Sequence, residues 1–127
     1  MRILLVRCLA IGVAGFLGAV ARFGVAQLFG RWINIRFPVA TMFINISGSF
    51  LLGWFLPYAI SRDISDTTRL AIGTGFVGAY TTFSTLMFET NTLADEGSLF
   101  EAGFNLLGSL ILGMISVRLG IALARRA

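Results

Sequence analysis

Gly73-Thr-Gly-Phe-Val-Gly-Ala-Tyr-Thr-Thr-Phe-Ser-Thr-Leu-Met-Phe-Glu89 is a segment of two conflicting characters. It lies inside an apolar run, yet it carries Gly73, Gly75 and Gly78, the hydroxyls of Thr81, Thr82, Ser84 and Thr85 around Phe83, and the acid Glu89. Glycine weakens a helix and β-branched threonine forms one poorly, so the pattern predicts a helix interrupted near Gly75–Thr82. In lipid every backbone N–H and C=O must find a partner. Such a break is tolerated only against protein or beside a wet cavity. Transport proteins build ion sites from breaks of this kind, because freed carbonyls bind cations and half-helix N-termini attract anions.

Outward from this stretch the chain is apolar throughout. Its 127 residues are 57% hydrophobic with mean hydropathy +0.87 and only 13% charged, which fits an integral membrane protein rather than a soluble domain. Four runs reach the roughly 20 residues a spanning helix needs: Ile3–Phe29, Val39–Ile60, Thr68–Leu93 and Leu99–Ala124. Short connections leave no room for a soluble active site, so the expectation is a single all-α domain, residues 1–127, with four transmembrane helices. Arg2, Arg7 and Ala19-Val20-Ala21 resemble parts of a signal peptide. Against that reading, the run continues apolar past Arg22, and Ala10, Ala14 and Gly18 fall four apart on one face, as in a close helix–helix contact.

All ten basic residues are arginines, and they flank the apolar runs instead of forming a basic patch with aromatics, which argues against nucleic acid. The lone Cys8 forms no internal disulfide, and the lack of histidine argues against zinc or copper chemistry. No nucleophile–base pair suggests an enzyme. Gly73-x-Gly75-x-x-Gly78 has the form of a dinucleotide fingerprint but lacks the strand and helix that motif requires. Arg2, Arg62, Arg69, Arg125 and Arg126 fall on one side of a four-span layout, which places both termini in the cytoplasm.

The polar residues within the spans are nearly all uncharged. Thr41, Asn45, Gly48 and Ser49 form a stripe on the second run, and Asn105, Ser109 and Gly113 share a face of the fourth. Each stripe reads either as an interhelical hydrogen-bond seam or as the lining of an ion path. Arg22 is an intramembrane charge that either snorkels to the interface or anchors a helix end, with Glu89 as a candidate partner. Hydroxyls, amides and the positive edge of Phe83 suit a small, strongly hydrated anion, since they replace part of its hydration without trapping it. Four helices are too few to enclose a pore and pack together, so an oligomer is expected.

Gly75-Phe-Val-Gly-Ala-Tyr-Thr-Thr-Phe-Ser-Thr85 followed by Glu89 resembles the third-helix signature of the Fluc (CrcB) family of fluoride channels. Gly18-Ala-Val-Ala-Arg22 and Asn45-Ile-Ser-Gly48 resemble its other two motifs, in the same order. The resemblance covers the whole chain. It implies an antiparallel dimer, of identical or paired subunits, in the cell inner membrane, exporting cytoplasmic fluoride passively through two pores. It further implies an ion pathway over Asn45, Phe83, Ser84, Thr85, Leu86 and Ser109, with Arg22 as a structural arginine. A structural sodium ion would sit at the dimer centre on the backbone carbonyls of Gly78 and Thr81.

This chain departs from the family's pattern at Leu86, where a second phenylalanine is usual, and more loosely at Asn105, where a tyrosine is frequent. A leucine offers an anion no polar edge. With the arginine bias, Leu86 leaves open a non-conducting partner subunit of a heterodimer. A proton-coupled small exporter using Glu89 is the other rival, although such exporters need a carboxylate in the first helix and none is present.

Overall fold

The computed structural model describes residues 1–33 and 35–127. Every regular element among them is helical. Helix α1 covers Arg2–Trp32 and α2 covers Val39–Ser61. A short α3, Asp66–Leu70, passes into a π-helical stretch, Ala71–Val77, and a last turn α4, Gly78–Tyr80. Then come α5, Phe83–Asp95, and α6, Leu99–Ala124. Helices α1, α2 and α6 are long and apolar enough to cross a membrane, with mean hydropathies of 2.3, 1.6 and 2.0 in their most apolar windows.

Local chemistry accounts for the boundaries. Pro38 stands at the N-cap of α2, where its missing N–H costs nothing. The Ser65 hydroxyl caps α3 by accepting from the Thr68 amide. Asp66 in the first turn of α3 and Arg69 in its last suit the helix dipole. Gly97 has φ +82, the left-handed conformation that glycine adopts without a Cβ penalty, and it turns the chain from α5 into α6.

Packing joins the helices in two close pairs. A Cβ on Gly53 of α2 would run into the Val117 carbonyl of α6, and one on Gly120 of α6 would lie 2.7 Å from the Trp54 amide nitrogen. Backbone thus meets backbone across α2 and α6, as small residues allow in an apolar medium, and Ser116 adds a hydrogen bond to the Ile46 carbonyl at 2.9 Å. Helix α1 pairs with the π-helical stretch. Gly18 abuts the Phe76 carbonyl, and Ala14 lies against Gly75, so two members of the predicted small-residue face make that contact. The rest of α1 is open, with Gly18 its one buried residue among those described.

Two charged clusters mark the ends of the bundle. At one end Arg7 of α1 pairs with Asp66 of α3 at 3.3 Å, Arg69 pairs with the same carboxylate, and Arg62 donates to the Ala127 carbonyl. At the other, Arg36 in the α1–α2 connection pairs with Glu96 after α5.

Candidate functional site

The helical path stops at Thr81 and Thr82, whose backbones are extended (φ −78, ψ 158 and φ −149, ψ 110). Thr82 is buried, and an interior in lipid offers its amide and carbonyl no water. Asn45 of α2 satisfies both groups. Its Nδ2 donates to the Thr82 carbonyl at 3.0 Å, and its Oδ1 accepts from the Thr82 amide at 2.8 Å. A carboxamide supplies one donor and one acceptor side by side, which neither an ionised carboxylate nor a hydroxyl reproduces in this geometry. The Thr82 hydroxyl then caps α5 by accepting from the Thr85 amide at 3.3 Å.

These substitutions release specific carbonyls. In a continuous helix the Thr82 amide would close onto Gly78, and the Thr85 amide onto Thr81. Here the first goes to Asn45 and the second to the Thr82 hydroxyl. Val77, by contrast, accepts both the amide and the hydroxyl of Thr81 at 3.0 Å.

Beside the interruption lies a cavity of about 370 Å³ lined by Asn45, Ser49, Thr81, Phe83, Leu86 and Ser109, with an apolar wall from α6. Among the described residues, no charged side chain lines it. The Ser109 hydroxyl is buried without a hydrogen-bond partner among the described residues, and an orphaned polar group in an apolar interior is costly. Phe83 is 69% exposed at the start of α5, whereas Leu86 is buried. The cavity is therefore polar without being ionic. Its hydroxyls and amide can replace part of an anion's hydration shell without a fixed charge to hold it.

The sequence matches the family described as "CrcB-like protein, Camphor Resistance (CrcB)" over residues 9–121. The chain belongs to the CrcB family. Curated relatives bear the name "Fluoride-specific ion channel FluC", a channel rather than an enzyme. They include proteins of Methylococcus capsulatus (46% identical over 118 residues), Trichormus variabilis (43% over 119) and Chlorobium chlorochromatii (47% over 118). Each match covers 92% of this chain. The chain spans about half the length of the Methylococcus protein (52%), but 87% and 91% of the other two.

For this CrcB chain the structure brings Asn45, Thr81, Phe83, Leu86 and Ser109 to one cavity and leaves Ser84 and Thr85 out of it. Ser84 is exposed. Thr85 faces a second cavity, of about 300 Å³, shared with Arg22, Thr41, Thr82 and Glu89. There the Thr41 hydroxyl donates to Glu89 Oε1 at 2.8 Å, while Glu89 Oε2 is buried without a partner among the described residues. Arg22 and Glu89 share this cavity, but among the described residues they form no ion pair and the Arg22 side chain makes no hydrogen bond. Gly78 is exposed at the start of α4, and Thr81 is half-buried.

Two residues of the polar stripes acquire definite roles in the fold. Ser49 lines the first cavity and donates to the Asn45 carbonyl at 2.7 Å; its place one turn after Asn45 was the available signal. Asn105 is fully buried, with its amide nitrogen on the Thr90 hydroxyl at 3.0 Å, a pairing of α6 with α5 that no local pattern announces.

Proposed function

We propose that this chain is a subunit of a fluoride channel that lets cytoplasmic fluoride leave the cell passively across the inner membrane. The run Thr68–Leu93 is then the third of four spans, broken at Thr81–Thr82. Two subunits pack antiparallel, and fluoride passes Asn45, Phe83, Ser84, Thr85, Leu86 and Ser109. The observation that carries this reading is the Asn45 amide holding an interrupted helix open beside an uncharged cavity with an unsatisfied hydroxyl. The names of the curated relatives support fluoride as the ion.

A second subunit would complete surfaces that one copy leaves unfinished. Arg22 lacks a partner among the described residues, and Phe83 lies open beside the cavity. In this reading Arg22 is a structural anchor rather than part of the path. We take the two subunits to be copies of this chain. Leu86 in the cavity wall favours the alternative of a partner subunit in a heterodimer, because it gives an anion no aromatic edge.

The break also fits a structural sodium ion. The carbonyls of Gly78 and Thr81 lose the amides that a continuous helix would bring them, and carbonyl oxygens suit a hard monovalent cation. When bound, sodium would supply positive charge that pins the two half-helices. It takes no part in conduction.

The test is fluoride efflux from liposomes containing this chain alone. Rapid release of fluoride with negligible chloride release is expected. Efflux that depends on a proton gradient would point to an exporter built on Glu89, and no flux of any anion to a non-conducting partner subunit.

A further inference from the structure

The end of the bundle that carries Arg7, Arg62 and Arg69 has a cleft that the channel reading does not use. It has a volume of about 580 Å³ and lies between the start of α1, the end of α2 and α3 with the π-helical stretch. Arg7, Asp66 and Arg69 line its charged part, and Leu52, Leu56, Ile60 and Leu70 its apolar part. The charges do not cancel. Two guanidinium groups share the single carboxylate of Asp66, which leaves a net charge of one positive unit. The arginines also have donors to spare: each contacts Asp66 through Nη2, and Arg7 Nε is buried with no partner among the described residues.

The apolar part has a direction. Leu52, Leu56 and Ile60 recur every four residues on one face of α2, so they run for about 12 Å along the helix at 1.5 Å per residue. Ile60 closes the helix near the charged cluster, and Leu52 lies two turns deeper. A ligand filling the cleft therefore needs a negative head at one end and a hydrocarbon chain reaching inward. A membrane leaflet supplies molecules of that shape, and basic pockets between helices attract anionic headgroups.

We propose that this cleft is a binding site for an anionic phospholipid, with the phosphate on Arg7 and Arg69 and an acyl chain along Leu52, Leu56 and Ile60. Guanidinium donors match phosphate oxygens geometrically, and the net positive unit balances a singly charged phosphodiester. Asp66 holds the two arginines on either side of it, which orders them before the lipid arrives. The site depends on the chain spanning a membrane, and is independent of which ion the chain conducts.

The experiment places the purified assembly in nanodiscs of phosphatidylcholine with and without phosphatidylglycerol, and counts by native mass spectrometry the lipid retained after mild detergent extraction. Phosphatidylglycerol is expected to be retained over phosphatidylcholine by at least about tenfold, as charge-assisted bonds to two arginines imply. Arg7→Gln with Arg69→Gln should abolish the preference. Leu56→Trp, which keeps both arginines and fills the acyl channel, should also lower retention, and it keeps the test decisive if the arginine variants do not fold. Equal retention of both lipids, or unchanged retention in every variant, overturns the proposal. So does displacement by millimolar inorganic phosphate, which would reveal a simple anion site. A Leu56→Trp protein that loses its oligomeric state with lipid retention unaltered would show that a second copy covers the cleft.

Discussion

Asn45 shows how one side chain can decide whether a segment is possible at all. Leaving the buried amide and carbonyl of Thr82 unpaired would cost about 1–3 kcal/mol each. Asn45→Asp keeps an acceptor for the Thr82 amide but sets a carboxylate oxygen against the Thr82 carbonyl and adds charge to an uncharged cavity. We expect this variant to lower fluoride efflux at least about tenfold while the assembly stays intact on size exclusion, the equivalent of one lost hydrogen bond to a charged or buried group. Undiminished efflux would remove Asn45 from any role in the path. The type of residue was legible early, since an amide within a span needs a reason. Its partner was not, because Thr82 is 37 positions away and only the fold brings the two together.

Among the elements, the π-helical stretch and α1 pack closely against each other. Helix α1 touches it through Gly18 and Ala14, with no room for a Cβ at Gly18. Gly18→Leu should force α1 off Phe76 and destabilise the protein by about 1–3 kcal/mol or more, as overpacking does. The check is the thermal unfolding midpoint in detergent, and an unchanged midpoint would mean that the contact is dispensable. Helix α3 is tied to α1 differently, through Asp66. The hydrogen bond from Arg69, then its charge, with Arg7 adding, hold this carboxyl below its usual range. The sign follows from that depression. The stabilisation is fully present above the ordinary carboxylate value of about 4, and is lost as pH falls through the lowered folded value. Unfolding midpoints should therefore drop more steeply below about pH 4 in the natural protein than in Asp66→Asn. Parallel curves would show that the Arg7–Asp66–Arg69 cluster contributes nothing to holding α3. The boundaries of these elements were close to legible: α6 runs over Leu99–Ala124, as the apolar run does. The π-helical winding of Ala71–Val77 was not, because glycine at 73 and 75 permits several backbone paths and packing against α1 selects one.

For the whole molecule, the question is what one chain lacks. If sodium pins the break between two subunits, purification in N-methylglucamine without sodium should lower fluoride efflux several-fold, and returning sodium should restore it. Efflux indifferent to sodium would leave the freed carbonyls of Gly78 and Thr81 to water or to the partner subunit. The sequence by itself determined the medium, the helical class and the family. Those rest on composition, on the apolar runs, and on a motif whose glycines and hydroxyls are meaningful in any conformation. Tertiary structure alone decided which polar groups share a cavity. It set Ser109 beside Asn45 and Phe83, turned Thr85 toward Arg22 and Glu89, and, among the described residues, formed no ion pair between Arg22 and Glu89. The reason is geometric: adjacent residues on a helix point in different directions, and a break resets those directions by an angle that only the contacts of the two halves with α1, α2 and α6 define.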